Sequence, residues 1–196
     1  MPKFTRRSSR IATAIALPAA VVAAGVLVST SSYAAFSDTT SNEQNTWRAG
    51  TVQLADDDAG RALFTVPNAK PGDGGANCIA VTSTGSLASQ VRLYATDRSS
   101  TAGLADNLVL TVEQGSGGGY GTCNGFTAEK TVYAGRLSGF GDAHSSFANG
   151  ATTWSPAGGA SETRTFRISW KLVDDAPDSV QGGTAATSFV WEAQNS

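Results

Sequence analysis

The chain has 196 residues, of which 40% are hydrophobic and only 15% charged, with 22 glycines, one methionine and one histidine. That balance excludes a disordered chain, and the scarcity of Lys and Glu beside abundant Gly, Thr, Ser and Val excludes a helical bundle in favour of strands joined by tight turns. Four of the 14 basic residues (Lys3, Arg6, Arg7, Arg10) lie in the first ten positions, leaving 10 basic against 16 acidic side chains, a net of −6, which excludes nucleic acid as a partner because phosphate binding needs clustered Lys and Arg.

The first 34 residues divide into three parts. Met1 to Arg10 is basic, and Ile11 to Val28 is an apolar run broken only by Thr13, Pro18 and Gly25. Ser32-Tyr33-Ala34 then places small residues at −3 and −1 of a cut. This is the pattern of a secretory signal cleaved between Ala34 and Ala35. An uncleaved membrane anchor is the alternative, because 18 apolar residues sit at the lower limit for spanning. Pro18 and the Ala-rich composition argue against it. The expected organisation is therefore a signal peptide over 1–34, an extended segment over 35–49 and one β domain over 50–196. The expected location is outside the cell, with membrane contact only through the signal.

Along the remainder, Gln90 to Thr96 sets Val91, Leu93 and Ala95 against Arg92, Tyr94 and Thr96, and Leu108 to Glu113 alternates in the same way. Thr163 to Leu172 places Phe166, Ile168, Trp170 and Leu172 on one face, and Ser188 to Ala193 repeats the pattern with Phe189 and Trp191. A period of two with one apolar face predicts antiparallel strands. Thr51 to Leu54 and Ala62 to Pro67 are shorter candidates, and Ala102 to Asn107 is a candidate helical turn. Turn clusters lie at Pro71 to Gly75, Thr84 to Ser86, Gly115 to Gly121, Pro156 to Gly159 and Asp174 to Gly183. Many short strands with such punctuation predict an all-β, antiparallel jelly roll or β-sandwich.

Cys78 and Cys123 both follow the signal. Two cysteines in an exported chain make one disulfide most simply, and two alone cannot complete a zinc site. Closing a loop of about 45 residues stabilises a fold by roughly 4 kcal/mol in the chain-entropy account.

Catalytic patterns are sparse. His144 is the only histidine, so neither an HExxH pair nor a His-rich zinc site can form, and its setting in Gly141 to Ser146 reads as a solvated surface loop. Gly115 to Gly121 lacks the lysine of a phosphate-binding loop and reads as a hairpin tip. Asp56-Asp57-Asp58 and Asp174-Asp175 with Asp178 are carboxylate clusters without EF-hand spacing, so no cofactor is expected and calcium is the weak alternative. Trp170 and Trp191 read as core residues, while Trp47 and Trp154 are open between core packing and sugar stacking.

One stretch is more specific. Ser32-Tyr33-Ala34-Ala35-Phe36-Ser37-Asp38-Thr39 leads to Asn45-Thr46-Trp47-Arg48-Ala49-Gly50-Thr51-Val52-Gln53-Leu54. This resembles the signal junction and N-terminal motif of the TasA/camelysin family, whose members are exported by a SipW-type signal peptidase. Val66 to Asp73 resembles the family's proline-glycine-aspartate turn and Val81 to Leu87 its following strand. Phe166 to Val173 and Phe189 to Gln194 are similar to its closing pair of strands. Ser83 stands where the family usually has Asn, and the two cysteines lie outside its pattern.

The resemblance implies a jelly-roll subunit of extracellular biofilm fibres, non-catalytic and homo-oligomeric. A camelysin-like cell-surface metallopeptidase and a surface module that binds glycan or protein are the alternatives, and one histidine with no zinc motif gives the peptidase no chemical support. Joined to the resemblance, Ala35 to Asn45 reads as a donor strand. It has few large apolar residues, Phe36 to enter a pocket, and Asp38 and its polar neighbours to lie extended along a neighbour's sheet edge. A linker is the simpler reading without it. The cut itself is checked by mass spectrometry of the released protein: an N-terminus at Ala35 is expected, and one displaced by more than two residues rejects the assignment.

Overall fold

A computed structural model describes residues 49–195. Eight strands run β1 (Leu54–Asp56), β2 (Gly74–Ser83), β3 (Ser89–Ser100), β4 (Leu108–Ser116), β5 (Thr127–Arg136), β6 (Ala151–Thr152), β7 (Glu162–Leu172) and β8 (Ala185–Asn195). Two short helices, α1 (Leu104–Asn107) and α2 (Leu137–Ala143), interrupt them. The strands form a five-stranded sheet in the order β1-β2-β7-β4-β5 and a three-stranded sheet in the order β6-β3-β8. Every pairing between named strands is antiparallel. The two sheets make a single sandwich-like domain.

The alternation read along the chain sets the register. In the larger sheet Ile79, Phe166 and Gln114 stand side by side on β2, β7 and β4, and Val112 stands beside Ile168. In the smaller sheet Val91, Leu93 and Ala95 oppose Ala193, Trp191 and Phe189. These rows face each other, so Ile79, Val81, Val91, Leu93, Leu110, Val112, Phe166 and Ile168 make one core, with Phe140 of α2 and Trp154 enclosed beside them. A one-residue slip in any of these strands would turn its apolar set to solvent.

Several expectations are corrected. Ala62 to Pro67 is not a strand: Leu63 and Phe64 pack on the core, and the Leu63 carbonyl accepts from the Asn77 side chain at 2.6 Å. Thr51 to Gln53 is bonded to the turn over 84–87 instead of to a strand, so β1 begins only at Leu54. β2 starts at Gly74, inside the expected turn cluster, where Gly75 lies beside Trp170 and a Cβ would crowd its indole. β5 and α2 were not legible at all. β5 is an edge strand with a mostly exposed, polar surface, and α2 carries two glycines, one of which, Gly141, has no room for a side chain beside Arg98. The glycine-rich stretch does form a hairpin tip. A Cβ at Gly115 would collide with the Thr127 carbonyl, and Gly117, Gly118, Gly121 and Gly125 take positive φ.

That tip is fastened down. Cys78 and Cys123 are joined, with Cα atoms 5.2 Å apart. Asp57 accepts from the Ala80 amide at 2.9 Å with one carboxylate oxygen and from the Tyr120 amide at 2.7 Å with the other. The Tyr120 hydroxyl donates to the Ala62 carbonyl at 2.9 Å, and Arg61 lies over the Tyr120 ring at 4.4 Å. Disulfide, carboxylate and ring thus hold the chain over 57–63 and the hairpin tip against β2. Replacing both cysteines with serine is expected to lower unfolding stability by about 2–4 kcal/mol in urea titration. A loss below about 1 kcal/mol would mean that the Asp57 and Tyr120 contacts hold the tip without the crosslink.

Candidate functional site

The residues singled out for chemistry are distributed through the structure rather than gathered. Among the described residues no three His, Cys, Asp or Glu side chains are placed to hold a metal ion. His144 lies in a loop, as expected, but is not fully solvated. It follows α2 half-buried, its Nδ1 lies 2.7 Å from the Asn149 carbonyl oxygen, and its ring packs 5.2 Å from Phe140 and 6.0 Å from Tyr133. Both cysteines are consumed by the disulfide.

Of the first carboxylate cluster, Asp57 is spent on the Ala80 and Tyr120 amides and Asp58 caps the Gly60 amide at 2.6 Å. In the second, Asp174 pairs with Lys171 at 2.7 Å. Trp154 is core at 7% exposure, Trp191 points inward and Trp170 is half-buried. Ala34, Ala35, Phe36, Asp38 and Trp47, and with them the signal and donor segments, lie outside the described residues.

The sheet edges differ sharply in what protects them. β2 is covered over 81–83 by β1, and beyond it by Asp57 and the Leu63 carbonyl. β5 carries Glu129 and Lys130 and pairs with β4 through two register shifts, features that discourage further pairing. Lys130 also donates to the Thr153 carbonyl. The β6 edge is two residues long, with the chain bonded onward along β3 as far as the Pro156 carbonyl.

β8 has no such device. It is 11 residues long, contains neither Pro nor Gly, and holds a single charged residue, Glu192. Among the described residues its only strand partner is β3, so its other edge presents unpaired backbone groups. Burial records the same asymmetry. On β3, Val91 and Leu93 are 0% exposed, whereas their cross-strand partners Ala193 and Trp191 on β8 are only half-buried although they face the core.

Beside this edge a groove of about 210 Å³ opens between the sheets, bounded by Leu54 and Asp56 of β1, Val81 of β2, and Phe189 and Trp191 of β8. Its walls mix apolar side chains with polar backbone and the Asp56 carboxyl. Partial burial there, with Asp57 and Asp58 beside it, holds the Asp56 carboxyl above its ordinary value. On the outer face of β8, Tyr94 donates to Glu192 at 2.7 Å, and that bond, with burial and the Glu192 charge, pushes the Tyr94 hydroxyl up to about 12. Gln194 also donates to Glu192, at 2.8 Å, so the one charge on the strand is tied to its outer face and does not guard the edge. The alternation of Phe189 and Trp191 is visible in the sequence. That no further strand among the described residues lies beyond them is not, because it depends on where β1 goes.

The arrangement can therefore accept an extended segment, with backbone hydrogen bonds along β8 and an apolar side chain in the groove. No helix among the described residues is long and apolar enough to cross a membrane.

Comparison with known proteins agrees with the motif at the N-terminal junction. None of the curated proteins matches the chain. A family model described as camelysin metallo-endopeptidase matches residues 8–108, just over half of the length. The match takes in the junction motif, β1 to β3 and the turn between β2 and β3. On that match the chain belongs to the camelysin family.

Proposed function

We propose that this protein is a secreted, non-catalytic structural subunit that polymerises outside the cell by strand exchange, Ala35 to Asn45 of one copy pairing with β8 of the next. The observation that carries this reading is the half-buried inner face of β8 beside fully buried partners on β3. An unguarded edge of that length invites a strand. Ala35 to Asn45 matches it at 11 residues, about 36 Å when extended. The described chain begins against the turn over 84–87, bonded there through Thr51 and Gln53, at the end of the sandwich where β8 finishes beside the start of β3. Contact between the leading segment of one copy and the β8 edge of another joins two different surfaces and is head-to-tail, so it propagates instead of closing. The signal peptide would hold the segment at the membrane, and its removal by a SipW-type peptidase would start assembly.

The family description favours a second reading, a metallopeptidase. The residues present do not fit the zinc centre it implies. The chain has one histidine, whose Nδ1 is engaged by a backbone carbonyl, and two cysteines bound to each other. Zinc peptidases draw three ligands from the protein, and of the clustered carboxylates Asp57 and Asp58 are bonded to backbone amides and Asp174 to lysine.

Deletion of Ala35 to Asn45 from the released protein tests the structural reading. The full chain starting at Ala35 is expected to form fibres in negative-stain images. The truncated chain is expected to keep the same circular dichroism and to sediment as a monomer, with Phe36→Ala polymerising more slowly than wild type. Fibres from the truncated chain at the wild-type rate would overturn strand exchange. A full-length chain that stays monomeric at high concentration would overturn polymerisation itself, as when the segment folds back onto its own β8. Cleavage of casein by the purified protein, abolished by a chelator, would replace the structural reading with the peptidase.

A further inference from the structure

Three buried polar atoms have no hydrogen-bond partner among the described residues: Gln114 Oε1, Trp154 Nε1 and Trp191 Nε1. All three belong to side chains around Phe166. Gln114 is its neighbour on β4, and the Trp154 and Trp191 rings lie 5.9 and 5.1 Å from the Phe166 ring. A buried donor without an acceptor costs its full desolvation, and native cores keep few of them. Trp191 stands apart from the other two. Trp154 and Gln114 are enclosed at 7% and 4% exposure, whereas Trp191 is half-buried and forms part of the groove wall beside the open edge of β8.

Resting on the reading that β8 accepts Ala35 to Asn45 of a second copy, we propose that Trp191 is the specificity contact of that edge, its indole N–H donating to a side-chain oxygen of the incoming strand. Side chains alternate along an extended segment, so Phe36 shares its face with Asp38, Thr40, Asn42 and Gln44. Each of the four ends in an oxygen that can accept. With Phe36 seated in the groove, Asp38 and Thr40 would be the next side chains on the same face of an extended segment and so the acceptors this contact needs. A wholly apolar strand of the same shape would fill the groove yet leave the N–H unpaired. The edge therefore discriminates between this segment and a generic hydrophobic strand by a polar contact set among the apolar side chains of the groove.

Trp191→Phe tests the assignment, because it keeps an aromatic ring in the core and removes the pyrrole part of the indole that carries the donor. In the full chain starting at Ala35, its critical concentration for fibre formation is expected to rise roughly three- to tenfold, the equivalent of one hydrogen bond. Its thermal unfolding midpoint, measured on unassembled protein, is expected to fall no further than that of Trp154→Phe, because both changes remove the same volume and an orphaned donor together. Trp154→Phe is the control: the same direction in unfolding, with no change in critical concentration. Asp38→Ala and Thr40→Val approach the contact from the other strand, and one of them is expected to have no further effect in the Trp191→Phe background. Wild-type assembly by Trp191→Phe, an equal defect in Trp154→Phe, or full additivity with both strand variants overturns the inference. A wild-type chain that never polymerises overturns the underlying reading and this contact with it.

Discussion

Phe166 sits on the middle strand of the five-stranded sheet, between Ile79 and Gln114, and receives the rings of Trp154 and Trp191 from across the sandwich. It is fully buried, and so are Ile79 on one side and Ile168 two residues along its strand. Once its ring faces inward, the pleat fixes the facing of every residue on β7, and the ladders to β2 and β4 transmit that phase to both neighbours. The smaller sheet follows because its apolar row on β3 has one surface to bury against. Two features of the finished molecule trace to this contact. The large rings that close the sandwich come from β8 and from the segment after β6, and their indole nitrogens are carried into an apolar interior where each lacks an acceptor.

The placement of β1 decides the rest of the architecture. A jelly roll divides its strands between two sheets. Here β1 lies beside β2, which makes the larger sheet five strands wide and leaves β8 at the margin of a three-stranded one. β1 is only three residues long, and its ladder to β2 is a small part of what retains it. Immediately after it, Asp57 continues the ladder with a side chain in place of a backbone, and the disulfide-tethered hairpin tip lies over that junction. The crosslink that stabilises the domain thus also keeps one wall of the groove in position. Sheet protection and groove formation are two effects of the same contacts.

The polar chemistry of the described residues goes into structure. Asp57, Asp58, Asp174 and His144 each have a close partner in backbone or lysine, and Glu113 pairs with Arg167 at 2.6 Å beneath the ring of Phe126. Side chains held this way fix loops and cover a sheet face, and they are not left facing a common point where a substrate atom could sit. Family membership by itself speaks to fold and descent more firmly than to a reaction, since an activity resides in a particular set of groups.

Much was legible in the sequence. The alternation in β3, β4, β7 and β8 stated the fold class and which residues enter the core, because a period of two with a buried face leaves a direct mark on composition. The basic, apolar and small-residue order of the first 34 positions carries the pattern of an export signal, and the junction motif after it carries the family. The two cysteines could be paired because there was no third. The tertiary structure alone decided the rest. β5 is an edge strand with polar residues on most positions, so its sequence carries no period. α2 is shorter than a readable helix, and its Gly141 lies against the Arg98 side chain, which is distant in sequence. His144 acquires its partners from a loop closing back on α2. The open edge of β8 is invisible locally, since Phe189 and Trp191 alternate as they would in a central strand. Whether a strand is central or marginal depends on which neighbours the long-range ladders bring to it, and that is a property of the assembled sheets, not of any segment within them.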